Sequence, residues 1–173
     1  APVATPTGWA VGAGADVVAV DARGRATTLG HLPGDVTLVA AGADVVAGAT
    51  SGRVAAWRAG RQVLDAAVAG AERLWVSADG AYVSALTERG QIWDTATGRL
   101  VVDLVEAHDF LIVVGRVAVV GAAGGVATIA LDRVGPAPTT VVAVRPVGFE
   151  AVLGAALGRD AVAIGSAGGA IQI

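Results

Sequence analysis

Short apolar runs, each ended by a glycine or an acidic turn, recur along the whole chain at nearly even intervals. Runs of this length, rich in valine and either alternating or continuous in hydrophobicity, predict strands rather than helices. The clearest stretch is residues 74–104, LWVSADGAYVSALTERGQIWDTATGRLVVDL. It predicts strands at 74–77, 82–86, 91–94 and 100–104, with tight turns at 78–80, 87–90 and 95–98. Gly80, Gly90 and Gly98 are expected to supply the positive φ that hairpin turns require. Continuous runs such as Val-Val-Ala-Val at 17–20 and Leu-Ile-Val-Val at 111–114 predict strands buried on both faces.

The same phrase of strand, glycine turn and strand returns before and after that stretch. It predicts strands at 9–11, 17–20 and 26–29, where residues 30–35 leave no room for a fourth. A second set follows at 36–39, 45–47, 54–57 and 63–68, and a later one at 110–114, 117–120, 126–131 and 141–144. The last set, 149–153, 161–164 and 171–173, stops without a final strand. A bulky residue stands five positions after a turn glycine in four copies: Leu29, Trp57, Ile129 and Ile173. Trp93 fills the same column in the central copy. The intervals are 28, 36, 36 and 44 residues, close to the roughly 40 of a four-stranded blade. The long interval holds the proline-bearing stretches 135–140 and 145–148, which are expected to form a surface excursion. One domain, 1–173, is therefore expected, with repeats at 8–35, 36–69, 70–106, 107–146 and 147–173. Residues 1–7 are expected to close the last blade by pairing 2–5 beside 171–173, unless a second chain completes an open arc.

Composition sharpens this picture. The chain is 54% hydrophobic and 16% charged, with only 4% aromatics and a mean hydropathy of +0.66. Strands of Val, Ala, Leu and Ile are then buried on both faces, or surface is given up to a partner. Net charge is −3 and all twelve basic residues are arginines without a basic run, which argues against a nucleic-acid ligand. The absence of cysteine excludes disulfides, thiolate chemistry and cysteine–zinc sites. The longest uncharged runs, 1–15 and 117–131, are fifteen residues each, short of the roughly eighteen that a membrane span needs, so a soluble domain is expected. The first residues have neither the positive end nor the apolar core of a signal peptide. A cytoplasmic location is favoured, with an exported mature chain left open.

Trp93-Asp94 at the end of a strand, followed by the turn Thr95–Gly98, resembles the signature of WD-repeat propeller blades, and the spacing extends the resemblance over most of the chain. It implies an all-β fold, a β-propeller of four-stranded antiparallel blades with about four to five repeats, hence a small, split or partial propeller. In that family a Gly-His pair precedes a blade, and its His joins a Ser or Thr, an Asp and the Trp in a buried network. Gly30-His31 stands 26 residues before Trp57, but Ala47 and Ser51 occupy the other positions, so the network is incomplete. His108 precedes the fourth copy, where Ile129 replaces the Trp. Both histidines read as structural or loop residues, since 77 positions apart they carry no metal-ligand spacing.

Trp57, Trp93 and Ile129, with Gly52 and Gly90, read as repeat positions that pack blade on blade. Trp9 and Trp75 lie outside that column and are the better candidates for exposed contact. Asp94 is expected to brace the turn after it. Asp103, Glu106 and Asp109 beside His108 read as a solvated loop, because a calcium loop needs denser oxygens and a bend glycine. The glycine phrases at 121–125 and 165–169 lack the Lys-Ser or Lys-Thr of a phosphate loop and read as hairpin turns. Neither a cofactor nor a metal is expected.

What the resemblance implies is a non-catalytic protein–protein interaction scaffold, a complex subunit that presents the loops entering each blade: 31–35, 69–73, 106–110 and 147–150. Its candidate contact residues are His31, Asp35, Arg73, Glu106, His108, Asp109 and Glu150. Two alternatives stay open. One is an assembly subunit whose propeller is completed by another chain. The other is a propeller enzyme or quinone-cofactor protein, whose repeats carry a phrase like Gly52-Arg53-Val54-Ala55-Ala56-Trp57.

Overall fold

Within the first three sheets short turns fold each strand back on the one before it, so strand order follows chain order there. The computed structural model describes residues 1–104, 110–122 and 125–133, and the backbone of strands at 144–145, 151–157, 161–166 and 171–172. Among these residues, nineteen strands form five antiparallel sheets. The first sheet is β1 (Val3–Thr5), β2 (Gly8–Ala13), β3 (Asp16–Asp21) and β4 (Ala26–His31). The second is β5 (Leu38–Gly42), β6 (Val45–Ala49), β7 (Arg53–Arg58) and β8 (Arg61–Ala67). The third is β9 (Arg73–Val76), β10 (Tyr82–Leu86), β11 (Gly90–Asp94) and β12 (Leu100–Leu104). The fourth is β13 (Leu111–Val114), β14 (Val117–Ala122), β15 (Gly125–Ala130) and β16 (Val144–Arg145). The fifth has three strands, β17 (Ala151–Leu157), β18 (Ala161–Ser166) and β19 (Ile171–Gln172). This is the all-β architecture of propeller blades. A 3₁₀ turn at Leu131–Arg133 is its one helical piece among the described residues.

The sheets stack in chain order. The first strand of each sheet packs on the first and second strands of the sheet before it, β5 on β1 and β2, then β9 on β5 and β6. The strand period of two therefore sends alternate residues into two different seams. Val46, Ala55 and Trp57 meet Ala10 and Val17 of the first sheet and Leu32 of the loop that follows it. Their neighbours Val45, Ala47, Val54 and Ala56 meet Leu74, Val83 and Trp93 of the third. On the far side of the third sheet, Tyr82, Ile92 and Leu104 meet Leu111, Ala118 and Ile129. Because both faces are covered, β6 and β10 are buried at every position. Each large aliphatic side chain so placed contributes about 1.5–3 kcal/mol of transfer free energy.

Three features differ from the sequence expectations. First, Val3–Thr5 pairs with Gly8–Ala10; it is the innermost strand of its own sheet instead of a partner for residues 171–173. A two-residue turn makes this local hairpin far cheaper to close than a ring-spanning pair. Second, the first sheet does have an outer strand, because β4 takes that place once β1 supplies the inner one. The true partner of Trp57 in the repeat column is then Val20, which pairs with Trp9 as Trp57 pairs with Val46. The interval becomes 37 residues instead of 28, and the apparent short repeat disappears. Third, Gly80 and Gly98 have positive φ, but Gly90 does not. It starts β11, where a Cβ would lie 3.0 Å from Leu111 and 3.1 Å from Leu104. Close packing between the third and fourth sheets, not a turn, requires glycine there.

Candidate interaction rim

Antiparallel strands bring alternate connections to opposite ends of the stack. One end gathers the loops between sheets, residues 32–37 and 68–72, with the turns at 14–15, 50–52 and 87–89. These loops are pinned by backbone bonds to their neighbours. Leu32 N–H donates to Ala15 at 2.8 Å and Val36 N–H to Gly14 at 2.7 Å. Gly70 N–H donates to Ser51 at 2.8 Å and Glu72 N–H to Leu86 at 2.9 Å. A rim held this way presents side chains without first ordering its backbone.

His31, Asp35 and Arg73 all lie on this end and are exposed. His31 closes β4 and its Nδ1 is 2.9 Å from Asp16 Oδ1. Its ring thus sits outside the seam, while the Trp57 indole packs directly over Gly30, where a Cβ would stand 2.3 Å from the ring. Glu106, His108, Asp109 and Glu150 lie outside the described residues. Arg89 donates to Asp103 at 2.7 and 3.0 Å, and those bonds to the carboxylate hold the guanidinium pKa above its ordinary value.

Between the loop at 67–72 and the turn at 87–91 lies a polar groove of about 640 Å³ that includes Glu72, Thr87, Glu88 and Arg89. Glu72 and Glu88 are both exposed. Since Arg89 is engaged by Asp103, the groove is left with a net negative wall. Sequence reading did not single out Glu72 and Glu88, although Glu72 lies in the expected loop 69–73 and Glu88 in the expected turn 87–90.

The opposite end carries the other turns within these sheets, those that join their first strand to the second and their third to the fourth. Asp94 accepts from Ala96 N–H and Thr97 N–H, both at 2.9 Å, and from the Thr97 hydroxyl at 3.0 Å, so it holds the turn after β11 closed. Asp21 does the same for the turn before β4 through Arg23 and Arg25. Bonds from the Arg25 backbone and guanidinium hold the Asp21 carboxyl below the usual carboxylate range. Arg58 occupies the corresponding position after Trp57 but crosses the seam, donating to Gly80 O at 2.9 Å and Thr95 Oγ1 at 3.1 Å.

Trp57, Trp93 and Ile129 are 4%, 4% and 3% exposed, each in a seam. Trp75 is half-buried, and Trp9 is 55% exposed. Gly52 sits at an exposed turn. Among the described residues no group of three or more His, Asp and Glu gathers where a metal could be held, and no helix is long and apolar enough to cross a membrane.

The sequence matches no protein family and no curated protein. Solved structures do resemble it. A chain of the mitotic checkpoint complex superposes with a TM-score of 0.57 at 16% identity, over 76% of this chain and 48% of its own. The computationally designed protein Ika8 superposes with a TM-score of 0.59 at 17% identity, over 94% of this chain and 54% of its own. At such identities the likeness shows the fold alone, a β-propeller, and this chain spans about half the length of the chains it resembles.

Proposed function

We propose that this chain is a non-catalytic protein-interaction platform built on WD-like blades, and that it works through the rim bearing His31, Asp35, Glu72, Arg73 and Glu88. One observation carries the reading. The loops of that rim are fixed by backbone hydrogen bonds, yet they present exposed charges of both signs around a groove of about 640 Å³. Rigid loops with solvated charges suit recognition of another protein, where electrostatic pairing sets partner choice and encounter rate. A neighbour solved within a multi-protein complex agrees with this reading, by analogy of fold.

The test is site-specific photo-crosslinking in cell extract, with benzoylphenylalanine at Asp35 or Glu72 and, as controls at the opposite end, at Arg61 or Ala96. A discrete cross-linked protein from the rim positions alone, weakened by Glu72→Lys with Glu88→Lys, is the expected result. Equal capture from both ends, or no capture from the rim, would reject the reading.

A further inference from the structure

Away from the rim, at the opposite end of the stack, a cleft of about 280 Å³ opens between the first and second sheets, with Pro6, Ala19, Leu29, Val46 and Trp57 among its walls. Two backbone outliers border it. Ala43 and Ala59 have φ of 44° and 48°, the two non-glycine residues in the left-handed region among the described residues. Both line the cleft, from the β5–β6 and β7–β8 turns. Other turns at the same end place glycine in that region, at Gly24, Gly80 and Gly98. Glycine at 43 and 59 would relieve the strain but would remove two methyl groups from the cleft wall. Strain kept at two positions that share one cavity is a mark of a binding site.

The chemistry of the walls selects the ligand. Asp44 is the one charged wall among the described residues. Its Oδ1 accepts from Arg58 Nε at 3.2 Å. Arg58 itself is not a wall, and its Nη2 turns into the next seam towards Gly80 and Thr95. The other polar side chains of the cleft are Thr5 and Thr7, whose hydroxyls can accept. An ammonium group has three donors and no acceptor, which suits three oxygen-bearing side chains. Volume sets the rest. A cavity of about 150 Å³ accepts benzene, so this cleft has room for one ring and a short arm, and a peptide strand is too large for it. We propose that the cleft binds a small arylalkyl ammonium compound, its ring against the apolar walls and its charge at Asp44. The site lies at the other end of the molecule from the interaction rim, so it stands or falls apart from that reading.

The test is titration of the nitrogen-15-labelled chain with phenethylammonium chloride, followed by NMR at the Trp57 indole N–H, a signal that Trp57→Phe identifies. A saturable shift with a dissociation constant below about 1 mM is expected. Asp44→Asn should weaken binding about tenfold, because a hydrogen bond to a charged group is lost. Ala19→Leu fills the cleft from β3 and leaves Asp44 and Arg58 in place; it should abolish the shift with an unchanged circular-dichroism spectrum. Hydrocinnamate, of similar size and opposite charge, should bind at least about tenfold more weakly than the amine. Glu72→Lys, at the rim, should leave amine binding unchanged. The absence of a saturable shift up to about 10 mM, equal binding of hydrocinnamate, or binding that survives both Asp44→Asn and Ala19→Leu would overturn the proposal. So would acetyl-Gly-Lys-Gly-amide binding as tightly as the amine, which would assign the cleft to a partner's lysine side chain.

Discussion

The seam between the first and second sheets and the seam between the second and third follow one plan, but they close differently. Each has a tryptophan at its centre, Trp57 in one and Trp93 in the other, both 4% exposed. In the second of these seams Arg58 reaches over and joins a small network in which Thr95, itself only 2% exposed, donates to Gly80 O at 2.7 Å. In the first seam the residue at the same column position is Asp21, engaged in its own turn. A cleft of about 280 Å³ remains there, with Pro6, Leu29, Asp44, Val46 and Trp57 among its walls. One repeat position thus serves as a turn brace when it is an aspartate and as a clamp between blades when it is an arginine. Reach and charge decide: the short carboxylate finds its own turn amides, while the long guanidinium finds carbonyls one blade away.

The largest expected effect sets the two tryptophans against each other. Trp93→Ala should cost about 3–5 kcal/mol, because the clamped seam cannot collapse around the hole. Trp57→Ala should cost less, since its surroundings already border a cleft and can relax into it. Urea unfolding of both variants measures the gap, and equal costs would break the comparison.

Next comes Gly30. An added methyl would overlap the Trp57 indole, and overpacking of this kind costs about 1–3 kcal/mol. In a Trp57→Ala background Gly30→Ala should become nearly neutral, so a double-mutant cycle should return a coupling of the same size. Additivity would mean that the indole does not rest on Gly30 in solution.

The clamp itself is tested by Thr95→Val, which strips the hydroxyl that accepts from Arg58 and donates to Gly80 O. Leaving those groups unmet should cost about 1–3 kcal/mol. Arg58→Ala should then add little on top of it, as thermal unfolding of the single and double variants would reveal.

The smallest effect lies within the second sheet, where Arg53 pairs with Asp65 across strands, Nη2 to Oδ2 at 2.6 Å. That hydrogen bond holds the Asp65 carboxyl below its ordinary value. A carboxylate depressed on folding stabilises the fold above the unfolded value of about 3.9, and the contribution fades as pH falls through the folded value. Asp65→Asn should therefore trail wild type by less than about 1 kcal/mol at pH 7, given a side chain 42% exposed. The two curves should converge between about pH 4 and pH 2; a constant gap would assign the effect to packing.

Much of the architecture was legible without coordinates. Residues 82–86 and 100–104 were expected as strands with the very bounds they have, because glycine turns and valine-rich runs mark both ends. The repeat column placed Trp57, Trp93 and Ile129, since a period near 36 residues survives any local ambiguity. The first repeat was misaligned for a clear reason. Leu29 lies five residues after Gly24, as Trp57 lies after Gly52, but that glycine closes the turn between the third and fourth strands of its sheet. Pattern alone cannot tell one hairpin from the next along the same blade. The rim was half legible. Of the residues expected in loops, Asp35 lies in the one at 32–37, whereas His31 ends β4 and Arg73 begins β9; the acidic groove of Glu72 and Glu88 depends on two loops meeting in space.

By itself the sequence determined the secondary structure, the repeat and the apolar rungs, all local properties of hydrophobic period and turn chemistry. Tertiary structure decided which face of each rung is covered. Trp9 and Trp57 stand on equivalent rungs, and no feature of either residue says that one is sealed and the other bare. That difference comes from stacking alone, because a sheet buries a face only where another sheet precedes or follows it.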